Sequence, residues 1–175
     1  MSTTGIIRRI DELGRIVIPK EIRKNLRIKN GDNLEILIDG ENITLKKYSQ
    51  IENLENMANI YAESFYQVLK YNIFITDTDK IVAAAGNLKK KYLNSGISED
   101  IERMIERRDN FVERKKKNIE ISPGFSEFGY FTVATIINNG DSIGCVIILS
   151  TETPMLEQEE KLSSILANIL SNYFA

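Results

Sequence analysis

DELGRIVIPKEIRK, residues 11–24, is the stretch that decides how the N-terminal part of this 175-residue chain folds. Its first four residues are typical of a turn, and β-branched runs lie on both sides of them, at residues 5–10 and 15–18. Pro19 follows, and its fixed φ and missing N–H suit the start of a helix. We therefore expect two short strands around a tight turn, followed by a helix over residues 20–26.

Two more strands are predicted after this helix. The runs at residues 34–38 and 43–48 are rich in β-branched and aliphatic residues, and Asp39-Gly40 between them is a strong hairpin signal. A β-β-α-β-β unit of this size has too little chain to cover its own apolar side chains. We expect two copies to pair, with strand exchange as one route, because a second copy covers those side chains and removes the exposed strand edges. The apolar positions that need this cover are Ile6, Ile10, Ile16, Ile18, Ile22, Leu26, Leu34, Ile36, Ile38, Ile43 and Leu45.

Positive charge is concentrated in the same N-terminal stretch. Residues 1–29 hold eight lysines and arginines against three acidic residues, whereas residues 51–175 hold 13 against 18. A basic head on an acidic body indicates that the head meets a polyanion. The alternative is a solvated charged face with Glu12 and Glu21 as partners. The eight cations are Arg8, Arg9, Arg15, Lys20, Arg23, Lys24, Arg27 and Lys29.

The residue composition excludes several kinds of chemistry. The chain has no histidine and a single cysteine, Cys145, so neither a zinc site nor a histidine-dependent nucleophile is expected. We expect no cofactor, no metal and no enzymatic activity, because carboxylates such as Asp77, Asp79 and Glu127 have no spaced nucleophile–base partners. No stretch reaches the roughly 20 apolar residues that cross a bilayer. The sequence thus predicts a cytoplasmic protein without membrane contact, and a basic head that binds a nucleic-acid polyanion would make it nucleoid-associated.

A helical period follows the basic unit. The apolar positions that fall mostly on one stripe of a helix over residues 51–70 are Ile51, Leu54, Ala58, Tyr61, Phe65, Val68 and Leu69. Two interpretations are open at this point. The segment is either a linker helix that pairs with a second copy, or the first helix of the next domain.

The rest of the chain, residues 71–175, is predicted to combine an antiparallel sheet with helices. Strands are predicted at residues 72–76, 81–85, 130–137 and 142–150. Ser98 is expected to cap one helix, and Thr153, with Pro154 after it, is expected to cap the last. The polar segment 109–126 is expected to be a loop. The predicted fold class is α+β, with the sheet flanked by helices.

The N-terminal residues resemble the AbrB family of swapped-hairpin transition-state regulators. The match lies in GIIRR at residues 5–9, in the LGRIVIP core at residues 13–19 and in LKKY at residues 45–48. This resemblance implies an interleaved β-barrel, formed by two chains, whose basic surface docks on DNA. The DNA contacts that it implies are Arg8, Arg15, Arg23 and Lys24. We add Arg9, Lys20 and Arg27 as secondary contacts, because they extend the same basic surface.

Two positions depart from the family pattern. Lys24 stands where the family has arginine, so it keeps the charge but loses the planar fork that can grip a guanine edge. Arg27 stands where glycine is common after the helix, which alters the helix C-cap and adds a candidate phosphate contact.

The body resembles a GAF domain in element order and length, and the whole chain is similar to sporulation regulators of endospore-forming bacteria. The resemblance implies a transcription regulator of sporulation genes, either activator or repressor, that forms homodimers or tetramers. We divide the chain into an AbrB-like DNA-binding domain at residues 1–50, a linker or dimerisation helix at residues 51–70 and a GAF-like regulatory domain at residues 71–175.

A small molecule is a further expected partner of the GAF-like domain, although its identity is not readable from the residues. The candidate lining residues are Phe125, Phe128, Tyr130 and Phe131, whose alternative role is ordinary core. The basic runs at residues 89–91 and 114–117 either extend the DNA surface or are solvated charges.

One competing function comes from the same module. Antitoxins of the swapped-hairpin kind bind both DNA and a toxin, and they typically carry a short disordered tail. Here residues 51–175 are predicted to fold, which favours the regulator.

Overall fold

The computed structural model describes residues 5–173. Contacts between Cα atoms divide the chain into two compact units, the first ending at Tyr48 and the second beginning at Ser49. Each unit is described by itself.

The first unit contains one helix and one hairpin among its described residues. The helix α1 spans Lys20–Asn25, directly after Pro19 as predicted. The strands β1, Leu34–Asp39, and β2, Asn42–Lys47, pair antiparallel around a turn in which Gly40 has a φ of 58°. Such a positive φ suits glycine, which explains why the Asp-Gly signal marks this hairpin.

The prediction of two strands at residues 5–10 and 15–18 is wrong for the single chain. These segments frame the predicted turn but form no β-ladder. The Asp11 N–H donates to the Arg15 carbonyl at 3.1 Å, and Gly14 takes the left-handed conformation, with a φ of 75°. Ladder hydrogen bonds need a neighbouring strand, and residues 5–173 of one copy supply none to these two segments.

The first unit has almost no interior of its own. Pro19 is the single buried residue in the described range 5–48. Ile7 is 95% exposed and Ile38 is 79% exposed, although side chains of this kind gain roughly 1.5–3 kcal/mol each from full burial. The exposed large apolar side chains are Ile6, Ile7, Ile10, Leu13, Ile16, Val17, Leu26, Ile36, Leu37, Ile38, Ile43, Leu45 and Tyr48.

The second unit is built on a five-stranded antiparallel sheet. Its strands are β3 (Asn72–Thr76), β4 (Ile81–Ala85), β5 (Asn110–Ser122), β6 (Phe125–Asn138) and β7 (Asp141–Ser150). They are ordered β4-β3-β7-β6-β5, with every neighbouring pair antiparallel. The predicted α+β class with an antiparallel sheet is confirmed.

Helices cover both faces of this sheet. The helices are α2 (Gln50–Asn53), α3 (Glu55–Leu69), α4 (Lys89–Tyr92), α5 (Glu99–Arg107) and α6 (Glu157–Asn172). On one face, Ile51, Ala58 and Leu166 from α2, α3 and α6 pack on the sheet. On the other face, Tyr92 of α4 and Ile101 of α5 close a second apolar layer.

Several element boundaries differ from the prediction. The polar segment expected to be a loop is mostly the long edge strand β5, which carries its basic residues 114–117 at exposed positions and has a register shift between Glu113 and Lys117. The last helix begins at Glu157 rather than after Thr153, and the Leu156 N–H donates to the Glu159 carboxylate at 2.8 Å. The cap at Ser98 is confirmed, because its hydroxyl accepts the Ile101 N–H.

Two glycines in the sheet allow unusually close strand packing. A Cβ built on Gly144 in β7 would overlap the backbone oxygen of Thr76 in β3, and one on Gly129 in β6 would overlap the backbone oxygen of Ser150. Neither obstacle is a movable side-chain tip. Only glycine fits these positions without a shift of the neighbouring backbone.

Candidate nucleic-acid interface

The turn at residues 11–15 holds the first predicted DNA contact in a defined place. Asp11 Oδ1 accepts the Leu13 N–H at 3.0 Å and the Arg15 N–H at 2.8 Å. Asp11 Oδ2 accepts Arg15 Nε–H at 2.7 Å. One carboxylate therefore orders the turn and also fixes the side chain of Arg15.

The same contacts favour the charged form of this carboxylate. The hydrogen bond from the Arg15 backbone N–H, followed by the one from its guanidinium, holds the pKa of the Asp11 carboxyl below its ordinary value. At neutral pH the pair is thus a carboxylate and a guanidinium.

The second predicted arginine lies on α1 and is held differently. Arg23 is half-buried, and its Nη1 donates to Asn30 Oδ1 at 3.2 Å. Its backbone carbonyl accepts the Ile28 N–H at 2.7 Å, while the Arg27 N–H donates to the Lys24 carbonyl at 3.2 Å. These two bonds form a Schellman motif, which ends the helix and starts the turn that contains Asn30.

The residue in the left-handed position of this motif is Arg27, with a φ of 52°. A non-glycine residue costs roughly 1–2 kcal/mol in this conformation. Arg27, which stands where the family commonly has glycine, thus places a cation next to α1 at the cost of backbone strain.

Replacing Arg27 with glycine should stabilise the first unit. We expect a gain of about 0.5–1 kcal/mol, because relief of the strain exceeds the roughly 0.5–1 kcal/mol of extra backbone entropy that glycine loses on folding. Amide hydrogen exchange of the segment around α1 measures this gain. Arg27→Ala is the matched control, since it removes the same cation but keeps the strain, and it should show no added protection.

The other predicted contacts are open to solvent. Arg8, Arg9, Lys20 and Lys24 all have exposed side chains in the first unit. Side-chain hydrogen bonds join Arg15 to Asp11 and Arg23 to Asn30. All seven predicted cations lie within residues 8–27.

Asp11 and Asn30 were missing from the predicted site. A sequence signal existed for Asp11, because an aspartate that opens an Asp-x-x-Gly turn commonly accepts backbone N–H groups two or more residues later. Asn30 sits in a turn as asparagine often does, but its contact with Arg23 depends on the helix end and could not be read from spacing.

Comparisons with known proteins match both units. A family described as stage V sporulation protein T C-terminal, transcription factor, matches residues 53–174. Stage V sporulation protein T of Bacillus subtilis is 44% identical over 173 residues, which cover 98% of this chain and 97% of that protein. The chain belongs to the stage V sporulation protein T family.

The N-terminal unit of this stage V sporulation protein T family member matches a second group. A family described as antidote-toxin recognition MazE, bacterial antitoxin, matches residues 7–53. The transition state regulatory protein AbrB of Bacillus subtilis is 58% identical over 48 residues, which cover 27% of this chain and 50% of that protein. The predicted AbrB resemblance is confirmed.

The second unit of the family member has the GAF fold. The cofactor binding GAF domain of the nutrient sensor CodY from Clostridium difficile matches 67% of this chain and 83% of its own, with a TM-score of 0.52 and 14% identity. The order of sheet and helices predicted for the body is therefore confirmed at the level of fold.

The four aromatic residues predicted to line a pocket in this GAF fold do not converge. Phe131 is buried in the layer under α4 and α5, whereas Tyr130 packs against the layer under α3 and α6. Phe125 and Phe128 are 54% and 57% exposed. Residues on opposite faces of a strand cannot share one pocket, so this predicted lining is wrong.

Cations in both basic runs of the second unit pair with nearby carboxylates. Lys89 pairs with Glu63 at 2.7 Å, Lys91 with Glu127 at 2.6 Å, and Lys117 with Glu113 at 3.7 Å. These contacts favour the interpretation as surface charge over an extension of the DNA surface.

The second unit contains the single cysteine of the chain. Cys145 is buried, and burial raises the pKa of its thiol to about 12, so it is not a thiolate at neutral pH. Within residues 5–173 no group of three or more Cys, Asp or Glu side chains is arranged to hold a metal ion. Among the same residues, no helix combines the length and apolar character of a membrane span.

Proposed function

We propose that this chain is a DNA-binding transcription regulator of sporulation genes, in which the first unit contacts double-stranded DNA. The observation that carries the proposal is the concentration of seven exposed or half-buried cations in residues 8–27 of a unit 58% identical to AbrB. Phosphate groups are the natural partner of such a surface, because each neutralised phosphate releases condensed counterions.

The DNA-binding form is a homodimer with interleaved first units. Thirteen large apolar side chains of this unit are exposed in the single chain, and a second copy is the partner of matching shape and chemistry. Residues 5–10 and 15–18 become strands in that dimer, because the partner supplies the missing hydrogen-bonding neighbours.

The contacts fall into two classes in this proposal. Arg15 and Arg23, which have fixed side chains, recognise base edges or phosphates in a set geometry. Arg8, Lys24 and the secondary contacts Arg9, Lys20 and Arg27 act through charge on phosphates.

The second unit serves assembly and regulation. Ile60 and Val68 on α3 and Ile165 on α6 are exposed apolar residues that can join two dimers into a tetramer. We keep the division into residues 1–50, 51–70 and 71–175 and a cytoplasmic, nucleoid-associated location as parts of this proposal. A small-molecule ligand of the GAF-like domain also stays a prediction, without an assigned pocket.

The antitoxin is the second candidate, and the MazE match over residues 7–53 is the observation in its favour. Two findings weigh against it. The residues after the first unit form a folded domain, and they match the stage V sporulation protein T family along residues 53–174.

Binding of the full chain to duplex DNA at a series of salt concentrations tests the proposal. If about six phosphates are neutralised, log K falls with log[salt] at a slope of roughly −5, so affinity drops about a thousandfold between 50 and 200 mM salt. Fluorescence anisotropy of a labelled duplex measures the slope. Absence of salt-dependent binding to any duplex would overturn the proposed function.

A further inference from the structure

Asp11 is an unusual residue for a surface that contacts DNA. A carboxylate beside a phosphate-binding arginine repels the phosphates and cancels part of the arginine's charge. On charge alone, removal of Asp11 should strengthen DNA binding. The contacts of this residue point to the opposite outcome.

The carboxylate uses both of its oxygens in different ways. Oδ1 accepts the backbone N–H groups of Leu13 and Arg15, and Oδ2 accepts Arg15 Nε–H. The carboxylate is thus fixed to the backbone of the turn, and the guanidinium is fixed to the carboxylate.

Binding through Nε leaves the terminal amino groups of the guanidinium available. Arg15 Nη1 and Nη2 have four N–H donors between them, and the Arg15 side chain is 72% exposed while that of Asp11 is 41% exposed. An exposed pair of this kind adds little to folding stability. Its physical effect is to hold a long side chain in one orientation before DNA arrives.

Holding the Arg15 side chain in place before DNA binds reduces the entropy cost of binding. An arginine that is free in solution loses side-chain entropy when DNA immobilises it, and one already held in place loses less. The gain applies twice in a dimer.

We propose that Asp11 is a positioning residue of the DNA interface, which holds the Arg15 guanidinium by Nε so that its terminal amino groups are directed to DNA. The inference rests on the proposed function, because it assigns a role within the same site. It predicts that a negative charge in this surface strengthens the specific complex.

Asp11→Asn separates positioning from charge. An asparagine Oδ1 can still accept the N–H groups of Leu13 and Arg15 and so keep the turn, but its amide nitrogen cannot accept from Arg15 Nε. Glu12→Gln is the matched control, since it makes the same change of charge at the neighbouring, exposed position.

The experiment uses the full chain and two duplexes. One is the duplex that the wild-type chain enriches most from a random pool, and the other has the same composition in shuffled order. We expect Glu12→Gln to bind both duplexes slightly more tightly, because the surface becomes more positive. Asp11→Asn is expected to bind the enriched duplex about tenfold more weakly, with unchanged or tighter binding to the shuffled one.

The Arg15→Ala background excludes a merely structural effect. There, Asp11→Asn should no longer weaken binding to the enriched duplex, because no guanidinium remains to be positioned. An equal loss in both backgrounds would overturn the proposal, as would tighter binding of Asp11→Asn to the enriched duplex in parallel with Glu12→Gln. Failure of the wild-type chain to bind any duplex would instead refute the proposed function itself.

Discussion

Arg15→Ala and Arg23→Ala will each weaken binding of the full chain to its preferred duplex by about 30-fold or more. A well-placed arginine contact contributes roughly 1–3 kcal/mol, and a dimer loses two of them, so even the lower value corresponds to about 2 kcal/mol. Arg15 is already held by Asp11, and Arg23 is already held by Asn30. These side chains therefore lose little conformational entropy when they contact DNA, so each substitution removes a contact that forms at a low entropy cost.

Lys115→Ala is the matched control for these variants. It removes one exposed cation from the second unit, outside the proposed interface, and should leave the affinity nearly unchanged. Anisotropy titrations at one fixed salt concentration compare the three variants, while sedimentation checks that their oligomeric state is the same. Unaltered affinity in both arginine variants would show that the interface lies elsewhere.

Gly144→Ala will destabilise the second unit by about 3 kcal/mol or more. The new methyl group would overlap the Thr76 backbone oxygen and approach the Asp77 Cα at 3.1 Å, so β3 and β7 must move apart. Overpacking in a closed core typically costs 1–3 kcal/mol, and an obstacle made of paired backbone leaves less room for adjustment than a side chain does.

The denaturation midpoint, followed by circular dichroism, measures this loss. Gly96→Ala serves as the control, because a Cβ there meets its nearest neighbour, the Asp79 backbone oxygen, at an ordinary 3.6 Å. That variant should change the stability by less than about 1 kcal/mol. Equal midpoints for the two variants would mean that the strands around Gly144 can separate freely.

Local signals in the sequence predicted the elements that depend on local chemistry. The Asp39-Gly40 hairpin, the start of α1 after Pro19 and the Ser98 cap all form where expected. Each of these rests on the backbone preference or hydrogen bonding of one or two residues. Neighbouring elements therefore have little influence on them.

The features that the sequence analysis did not predict depend on contacts that cannot be read from the order of the residues. β5 was predicted as a loop, because an edge strand can carry exposed charges and lacks the alternation of a half-buried strand. Thr153-Pro154 resembled a helix start, but the helix begins where Glu159 can accept the Leu156 N–H. The hydrogen bond from Arg23 to Asn30 likewise depends on the way α1 ends.

The nearly empty interior of the first unit has a consequence for gene control. If the first units interleave as proposed, the DNA-binding form arises through a bimolecular step. At low abundance, the quantity of competent regulator then grows with the square of the chain concentration rather than in proportion to it. A modest rise in synthesis during development would thus be converted into a sharper rise in promoter occupancy, with the threshold set by how tightly two such halves associate.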